Sequence, residues 1–209
     1  MVIDAVVIAG GRSSRLGFVP KASLLIGDES LLERTVTAAL AMSRNCVVVG
    51  PPAPTMSALG ALTTREEPPF SGPAAALAAG MRRLASAGMN PSDAVLVLAC
   101  DMPGIAAQLP KLVAQLDSAS DEIDGAISVD PHGYHQPLAA LYRYHELTQA
   151  VSEFTDRELI GLSMRALITS LNLLPVAAPL GATDDVDSWE DAARLGATEP
   201  PSEAKEGAR

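Results

Sequence analysis

The fold is decided at the start of the chain, where an apolar run leads into a glycine-rich turn: Val2-Ile3-Asp4-Ala5-Val6-Val7-Ile8-Ala9-Gly10-Gly11-Arg12-Ser13-Ser14-Arg15-Leu16-Gly17. The run is typical of a strand that is buried on both faces of a parallel sheet. Adjacent glycines let the backbone turn tightly and bring its N–H groups against a phosphate. Arg12, Arg15 and the nearby Lys21 add positive charge. The stretch therefore predicts a site for a nucleoside triphosphate.

Strand-like and helix-like segments alternate through the rest of the sequence. Further apolar runs predict strands near residues 46–49, 94–100, 125–129, 138–142 and 173–176. Helical spacing of apolar residues predicts helices between them, with one helical region running to about residue 171. The alternation indicates an α/β fold, a Rossmann-like three-layer sandwich with a mostly parallel central sheet. Residues 1–197 are expected to form one domain, and the polar residues 198–209 a disordered tail.

Composition restricts the classes of function. A chain of 209 residues fits one hydrophobic core, and a net charge of −10 argues against a general nucleic-acid-binding role. Cys46 and Cys100 lie in apolar runs and are interpreted as small core residues. The sequence shows neither a signal-peptide pattern nor a run of the ~20 apolar residues needed to span a bilayer. We therefore expect a cytoplasmic protein without a membrane partner.

A second candidate for chemistry follows the strand that ends near residue 99. Open parallel sheets bind ligands beyond the carboxyl ends of their strands, and Asp101 stands at such an end, in Cys100-Asp101-Met102-Pro103. An aspartate there can hold Mg²⁺ against phosphate oxygens, although it can equally serve as a helix cap or turn residue. Its pairing with the glycine turn favours the magnesium interpretation.

The glycine turn differs from two common nucleotide motifs. It lacks the Gly-Lys-Ser/Thr that closes a Walker loop, and its glycine spacing is not G-x-G-x-x-G, which makes a dehydrogenase-like dinucleotide site a weaker alternative. It resembles instead the L-A-G-G-x-S-x-R-M-G…D-K-A-L signature of the molybdenum cofactor guanylyltransferase family. Later segments are similar to that family's other motifs in the same order: Glu67–Pro73, Cys100–Pro103, His135–Tyr142, Leu162–Leu167 and Asp185–Asp191.

The resemblance implies a nucleotide-diphospho-sugar transferase type of fold and a set of nucleotide-binding residues. The implied residues are Ile8, Ala9, Gly10, Gly11, Arg12, Ser13, Lys21, Gly50, Glu67 and Gly72. Gly10 and Gly11 would offer backbone N–H groups to the triphosphate. Ile8, Gly50, Glu67 and Gly72 would lie about the base and ribose.

The resemblance also implies the reaction and its catalytic residues. It predicts a Mg²⁺-dependent reaction of GTP with molybdopterin, a phosphorylated pterin, that gives molybdopterin guanine dinucleotide and pyrophosphate. Arg15 and Lys21 would neutralise the phosphates. Asp101 would bind Mg²⁺ with Asp187 as second ligand, and Asp185 would lie nearby. Transient contacts with other molybdenum-cofactor proteins are expected as well.

Departures from the family pattern keep other functions open. Glu67 stands where an aspartate is usual, Trp189 where a proline is usual, and Asp185 and Asp187 replace the asparagines of many guanylyltransferases. Aspartates at those two places are more familiar in the cytidylyltransferase branch. The alternatives are a CTP-dependent molybdopterin cytidylyltransferase or another small-molecule nucleotidyltransferase, and a nucleotide-binding module that has lost catalysis.

Overall fold

A seven-stranded sheet forms the centre of the computed structural model, which describes residues 1–11, 13–17, 19–53, 55–86 and 91–201. The strands in chain order are β1 (Ile3–Ile8), β2 (Leu25–Ile26), β3 (Glu29–Ser30), β4 (Asn45–Val49), β5 (Leu62–Thr64), β6 (Ala94–Ala99), β7 (Gly125–Val129), β8 (His135–Arg143) and β9 (Leu173–Ala177). The helices are α1 (Leu31–Leu40), α2 (Thr55–Ala58), α3 (Pro73–Ser86), α4 (Leu109–Asp117), α5 (Tyr144–Ser152), α6 (Met164–Leu167) and α7 (Trp189–Leu195).

Strand order places six carboxyl ends at one edge of the sheet. The order is β5-β4-β1-β6-β8-β7-β9, and β2 and β3 form a separate hairpin. β1 pairs parallel with β4 and β6, β4 pairs parallel with β5, and β8 runs antiparallel between β6 and β7. β9 is parallel to β7. Loops that follow β1, β4, β5, β6, β7 and β9 therefore share an edge with the start of β8, where such sheets bind ligands.

Helices cover both faces of the sheet, as the continuous apolar strands require. Side chains alternate between the two faces along β1. Val7 lies on the face covered by α1 and α4, and Val6 lies on the face covered by α3, α5 and α6. α3 lies close to the sheet because Gly80 faces it: an added Cβ would stand 2.6 Å from Cγ1 of Val6. A smaller cluster around Leu16 and Leu24 joins the segment after the glycine turn to Val186.

The predicted mostly parallel α/β sandwich is confirmed, and differences occur at short elements. The hairpin β2–β3 and strand β5 are too short to give a sequence pattern. The helical region expected to reach residue 171 is interrupted between α5 and α6, where Gly161 has φ +77° and donates its N–H to the Ser71 carbonyl at 2.8 Å. Cys46 and Cys100 are free and buried, as expected, and burial raises the pKa of the Cys46 thiol to about 12.

Backbone pairing extends one residue beyond the predicted domain boundary. Thr198, the first residue of the expected tail, exchanges two backbone hydrogen bonds of 2.8 Å with Leu25. The edge of the short hairpin offers unpaired backbone groups that the chain end satisfies. Residues 202–209 lie outside the described residues. Among the described helices, the structure contains none whose length and apolar character would suffice to cross a bilayer.

Candidate active site

A cavity of about 1390 Å³ opens at the carboxyl edge of the sheet. Its walls come from the loops after four adjacent strands: the glycine turn after β1, Pro51 and Pro52 after β4, Glu66 after β5, and Asp101 after β6. α1 and its capping residues close one side. The four loops meet because their strands are parallel neighbours, so residues distant in sequence converge without special loop lengths.

The glycine turn forms one wall and leaves room beside its backbone. Ile8, Ala9, Gly10, Gly11 and Ser13 all line the cavity. Ala9 donates its N–H to Val49 at 2.8 Å and so holds the turn against the sheet. A Cβ added to Gly11 would meet no described atom within 4 Å. The protein's own packing thus leaves space at Gly11, and a ligand can approach its backbone closely.

The segment after the turn carries the predicted basic residues into the same cavity. The Ser13 hydroxyl accepts the Lys21 backbone N–H at 3.3 Å, which ties the start of the turn to the lysine. Arg15 and Lys21 both line the cavity, Arg15 being well exposed and Lys21 half-buried. Arg12, the third predicted basic residue, lies outside the described residues.

Three carboxylates face the lysine from two loops. Asp101 follows β6, whereas Asp185 and Asp187 come from the loop between β9 and α7, and one oxygen of each lies within 4.8 Å of the others. A backbone hydrogen bond of 3.0 Å from the Val186 N–H to the Asp101 carbonyl joins the two loops. The predicted pair Asp101 and Asp187 is therefore brought together, with Asp185 as a third member of the group.

Lys21 acts as the counter-ion of this carboxylate group. Its ammonium donates to Asp101 Oδ2 at 3.0 Å and also to Asp187, and Arg15 donates to Asp187 at 3.4 Å. Burial lowers the pKa of Lys21, but the Asp101 and Asp187 carboxylates outweigh that effect and raise it above 10.5. Burial, with the charges of Asp187 and Asp101, raises the pKa of Asp185. This concentration of negative charge and oxygen donors suits a hard divalent cation such as Mg²⁺.

The glutamate that lines this part of the cavity is Glu66, the neighbour of the predicted Glu67. Glu67, predicted from the sequence, is exposed and lies outside the cavity lining, whereas Glu66 is 4 % exposed and lines the cavity. Oε1 of Glu66 accepts the Phe70 backbone N–H at 2.9 Å. Its Oε2 is buried and has no hydrogen-bond partner among the described residues. Both glutamates lie in the loop after β5, where the sequence does not tell which of the two faces inward.

Of the two glycines predicted near the base and ribose, one lines the cavity and the other does not. Gly72 lines the cavity, with φ +96°, and opens α3. Gly50 is not part of the lining; it donates its N–H to Thr64 at 3.0 Å, and an added Cβ would stand 3.1 Å from the Ala9 backbone. Gly50 therefore permits the close packing of the glycine turn on β4. The sequence analysis did not single out Glu66 and Phe70, which also line the cavity. Their position between β5 and Gly72 was the signal that could have indicated them.

The sheet order and the glycine turn after the first strand belong to a fold shared with solved nucleotidyltransferase structures. The chain belongs to the family described as the MobA-like NTP transferase domain, whose model matches residues 5–171. Membership of this family identifies it as an enzyme that transfers nucleotidyl groups.

Similar proteins support this placement. A probable molybdenum cofactor guanylyltransferase from Chloroflexus aggregans is 32% identical over 150 residues, covering 70% of this chain and 68% of the relative. A protein of the same name from Natronomonas pharaonis is 26% identical and covers 90% of this chain and 94% of its own length. The crystal structure of molybdopterin-guanine dinucleotide biosynthesis protein A from Archaeoglobus fulgidus matches with a TM-score of 0.68 at 18% identity, over 92% of this chain and 96% of that chain. The similarity to this last protein supports the fold alone.

Proposed function

We propose that the protein couples GTP to molybdopterin in a Mg²⁺-dependent reaction, releasing pyrophosphate and forming molybdopterin guanine dinucleotide. The observation that carries the proposal is the convergence of Lys21, Asp101 and Asp187 in one cavity beside the glycine turn. The cavity of about 1390 Å³ exceeds the roughly 300–1,000 Å³ of common ligand sites, which suits two substrates bound together. A cytoplasmic location stays a prediction from the sequence.

The proposed chemistry needs no protein nucleophile. The phosphate monoester of the pterin is an anion at neutral pH, and one of its oxygens forms a bond to the α-phosphorus of GTP. The bond from that phosphorus to the bridging oxygen breaks, and pyrophosphate leaves with the electron pair. The obstacles are repulsion between anions and charge on the leaving group. Lys21 and Arg15 reduce both by placing positive charge beside the glycine turn.

The carboxylate group is suited to hold the metal ion. Asp101, Asp185 and Asp187 offer oxygens within 4.8 Å of one another, the donor type that Mg²⁺ prefers. A bound Mg²⁺ supplies further positive charge to phosphate oxygens. With Mg²⁺ held by Asp101, Asp185 and Asp187, the Lys21 ammonium would be available to contact phosphate. The two loops that carry these carboxylates would hold the ion close to the glycine turn.

Glu66 supports guanine over cytosine at the base end. A buried carboxylate with an unpartnered oxygen can accept from guanine N1–H and N2–H₂ side by side. The corresponding edge of cytosine presents one amino donor next to two acceptors, and the acceptors would face the carboxylate with like partial charge. Glu66 therefore favours GTP, even though Asp185 and Asp187 are residues more familiar in the cytidylyltransferase branch.

Turnover with each of the four nucleoside triphosphates, Mg²⁺ and molybdopterin tests the proposal, with pyrophosphate release as the measurement. We expect release with GTP, and a loss of about 10²–10³-fold in Asp101→Asn. Asp117→Asn, which alters an exposed carboxylate on α4, is the control. No turnover with any nucleotide would refute the catalytic proposal, and turnover with CTP alone would assign the cytidylyltransferase reaction.

The adjacent glutamates give a matched pair for base selection. Glu66→Gln should lower kcat/KM for GTP by about 10- to 100-fold, because it removes a charged acceptor and turns an amide donor toward the base. Glu67→Gln should leave kcat/KM within about 2-fold, since Glu67 is exposed and outside the lining. Equal effects of the two substitutions would contradict the assignment of Glu66.

A further inference from the structure

Phe70 is an aromatic residue held in an unusual backbone conformation on the cavity wall. Its φ is +64°, in the left-handed region that bulky L-residues avoid, and its side chain remains 48 % exposed. Strained residues of this kind cluster at ligand sites, where other contacts hold them in place. The ring lines the same cavity as Glu66 and Gly72.

The backbone of Phe70 is tied to the glutamate assigned to the base edge. Its N–H donates to Glu66 Oε1 at 2.9 Å, so the strained conformation both orients the carboxylate and sets the ring beside it. The guanidinium of Arg65 lies over the ring, 5.3 Å from its centroid, and fixes the ring from one face. One short segment after β5 therefore supplies both the Glu66 carboxylate, which can accept hydrogen bonds from the edge of a ligand, and the aromatic surface of Phe70.

Another part of the cavity wall is also apolar. Pro51 and Pro52 follow β4, the strand next to β5, and line the same cavity. A flat aromatic ligand with hydrogen-bond donors on one edge fits such surroundings: its edge pairs with Glu66, and its faces contact apolar groups. A phosphate group would gain nothing from the ring.

We propose that Phe70 stacks on the nucleobase of the bound nucleotide and contributes to the selection of a purine. The inference rests on the proposed function, because it takes Glu66 as the contact of the base edge. A purine presents a larger face to the ring than a pyrimidine does. Stacking on Phe70 thereby adds to the affinity that the hydrogen bonds of Glu66 provide. The ring contacts the base and does not contact the triphosphate.

Equilibrium binding of GTP and of inorganic tripolyphosphate, measured by calorimetry with Mg²⁺, tests the proposal. Phe70→Ala should raise the Kd for GTP by about 5- to 150-fold, the range found when a stacking aromatic is removed. The Kd for tripolyphosphate, which has no base, should stay unchanged. Tyr134→Ala removes an exposed aromatic outside the cavity lining and serves as the control.

Two further variants separate the ring from the backbone. Phe70→Gly relieves the positive φ and should weaken GTP as Phe70→Ala does, because both lack the ring. Phe70→Trp in a Trp189→Phe background should retain GTP binding, and its fluorescence should be quenched by GTP and not by tripolyphosphate. These two results would hold even if Phe70→Ala folds poorly.

The inference and the proposed function fail in different ways. Unchanged GTP affinity in Phe70→Ala and Phe70→Gly, or equal losses for GTP and tripolyphosphate, would overturn the stacking role while leaving turnover by the wild-type protein intact. Wild-type protein that binds neither GTP nor CTP would instead overturn the proposed function.

Discussion

Lys21 illustrates how one side chain can serve two states of the site. Its ammonium lies between Asp101 and Asp187, where it balances two of three neighbouring carboxylates. If these carboxylates held Mg²⁺, as the proposed function requires, the ammonium would be available to contact phosphate. Binding of metal and substrate would then exchange ion pairs at the site.

Replacing this lysine should make the protein depend on metal for stability. We expect Lys21→Met to lower the free energy of unfolding by about 1–2 kcal/mol at pH 7, since hydrogen bonds to charged groups are lost and the carboxylates repel. Mg²⁺ should then stabilise the variant more than the wild type. Urea denaturation with and without Mg²⁺ measures both effects, and Lys111→Met on α4 is the control.

The pKa of Lys21 sets the pH range of this difference. Because its pKa in the folded protein lies above the ordinary 10.5, its contribution is fully present below that value and is lost as the pH rises through the folded pKa. The stability gap between Lys21→Met and wild type should therefore be nearly constant from pH 7 to about pH 10. A gap already absent at pH 8, or no greater response of the variant to Mg²⁺, would contradict this account.

At the scale of elements, the active site depends on how two loops pack. Gly104, after the Asp101 segment, lies against the loop that carries Asp185 and Asp187: an added Cβ would stand 2.5 Å from the Gly181 carbonyl oxygen and 3.1 Å from the Ala182 Cα. Backbone atoms cannot rotate away as a side chain does. The contact at Gly104 therefore sets how near the second loop approaches Asp101.

Two glycine substitutions distinguish this role from general stability. Gly104→Ala should lower kcat/KM by at least about 10-fold, because it pushes the acidic loop outward, and should cost about 1–3 kcal/mol of stability. Gly80→Ala overpacks α3 against Val6 and should cost a similar amount of stability with kcat/KM little changed at temperatures where it is folded. Chemical denaturation and steady-state kinetics on both variants give the comparison; similar kcat/KM values in the two would refute the role of Gly104.

At the scale of the whole molecule, charge is distributed so that a net charge of −10 is compatible with binding anions. The cationic side chains of Arg15 and Lys21 stand together at the carboxyl edge of the sheet, where the glycine turn offers backbone N–H groups. Together with a Mg²⁺ ion held by the neighbouring carboxylates, these groups would suit one polyphosphate, whereas a long nucleic acid would meet the negative charge of the remaining surface.

Nucleotide binding across four loops should stabilise the entire domain. At a GTP concentration of about 100 times Kd, with Mg²⁺, binding adds about 2.7 kcal/mol, which corresponds to a rise in Tm of about 5–10 °C for a chain of this size. Thermal unfolding followed by circular dichroism measures the shift, and Asp101→Asn at equal concentrations should show a smaller one. A wild-type Tm unaffected by saturating GTP would mean that the cavity is not a nucleotide site.

Much of this architecture could be predicted from local sequence. The run Val2–Ile8 and the glycines after it specify a buried strand and a tight turn, because side-chain period and turn chemistry act over a few residues. The apolar run before Asp101 likewise predicts a strand end with a carboxylate. Two such ends belong at one edge of a parallel sheet, and the structure places the Lys21 ammonium 3.0 Å from the Asp101 carboxylate there.

The sequence by itself thus determined the α/β class, the glycine turn after the first strand and the position of Asp101 at the end of β6. Only the tertiary structure decided that Glu66 rather than Glu67 faces the cavity, that Asp185 joins Asp101 and Asp187, and that Thr198 pairs with Leu25. The physical reason is the range of the forces involved. Strand and turn formation follows from neighbouring residues, whereas the direction of a side chain in a loop follows from whatever distant backbone packs against it.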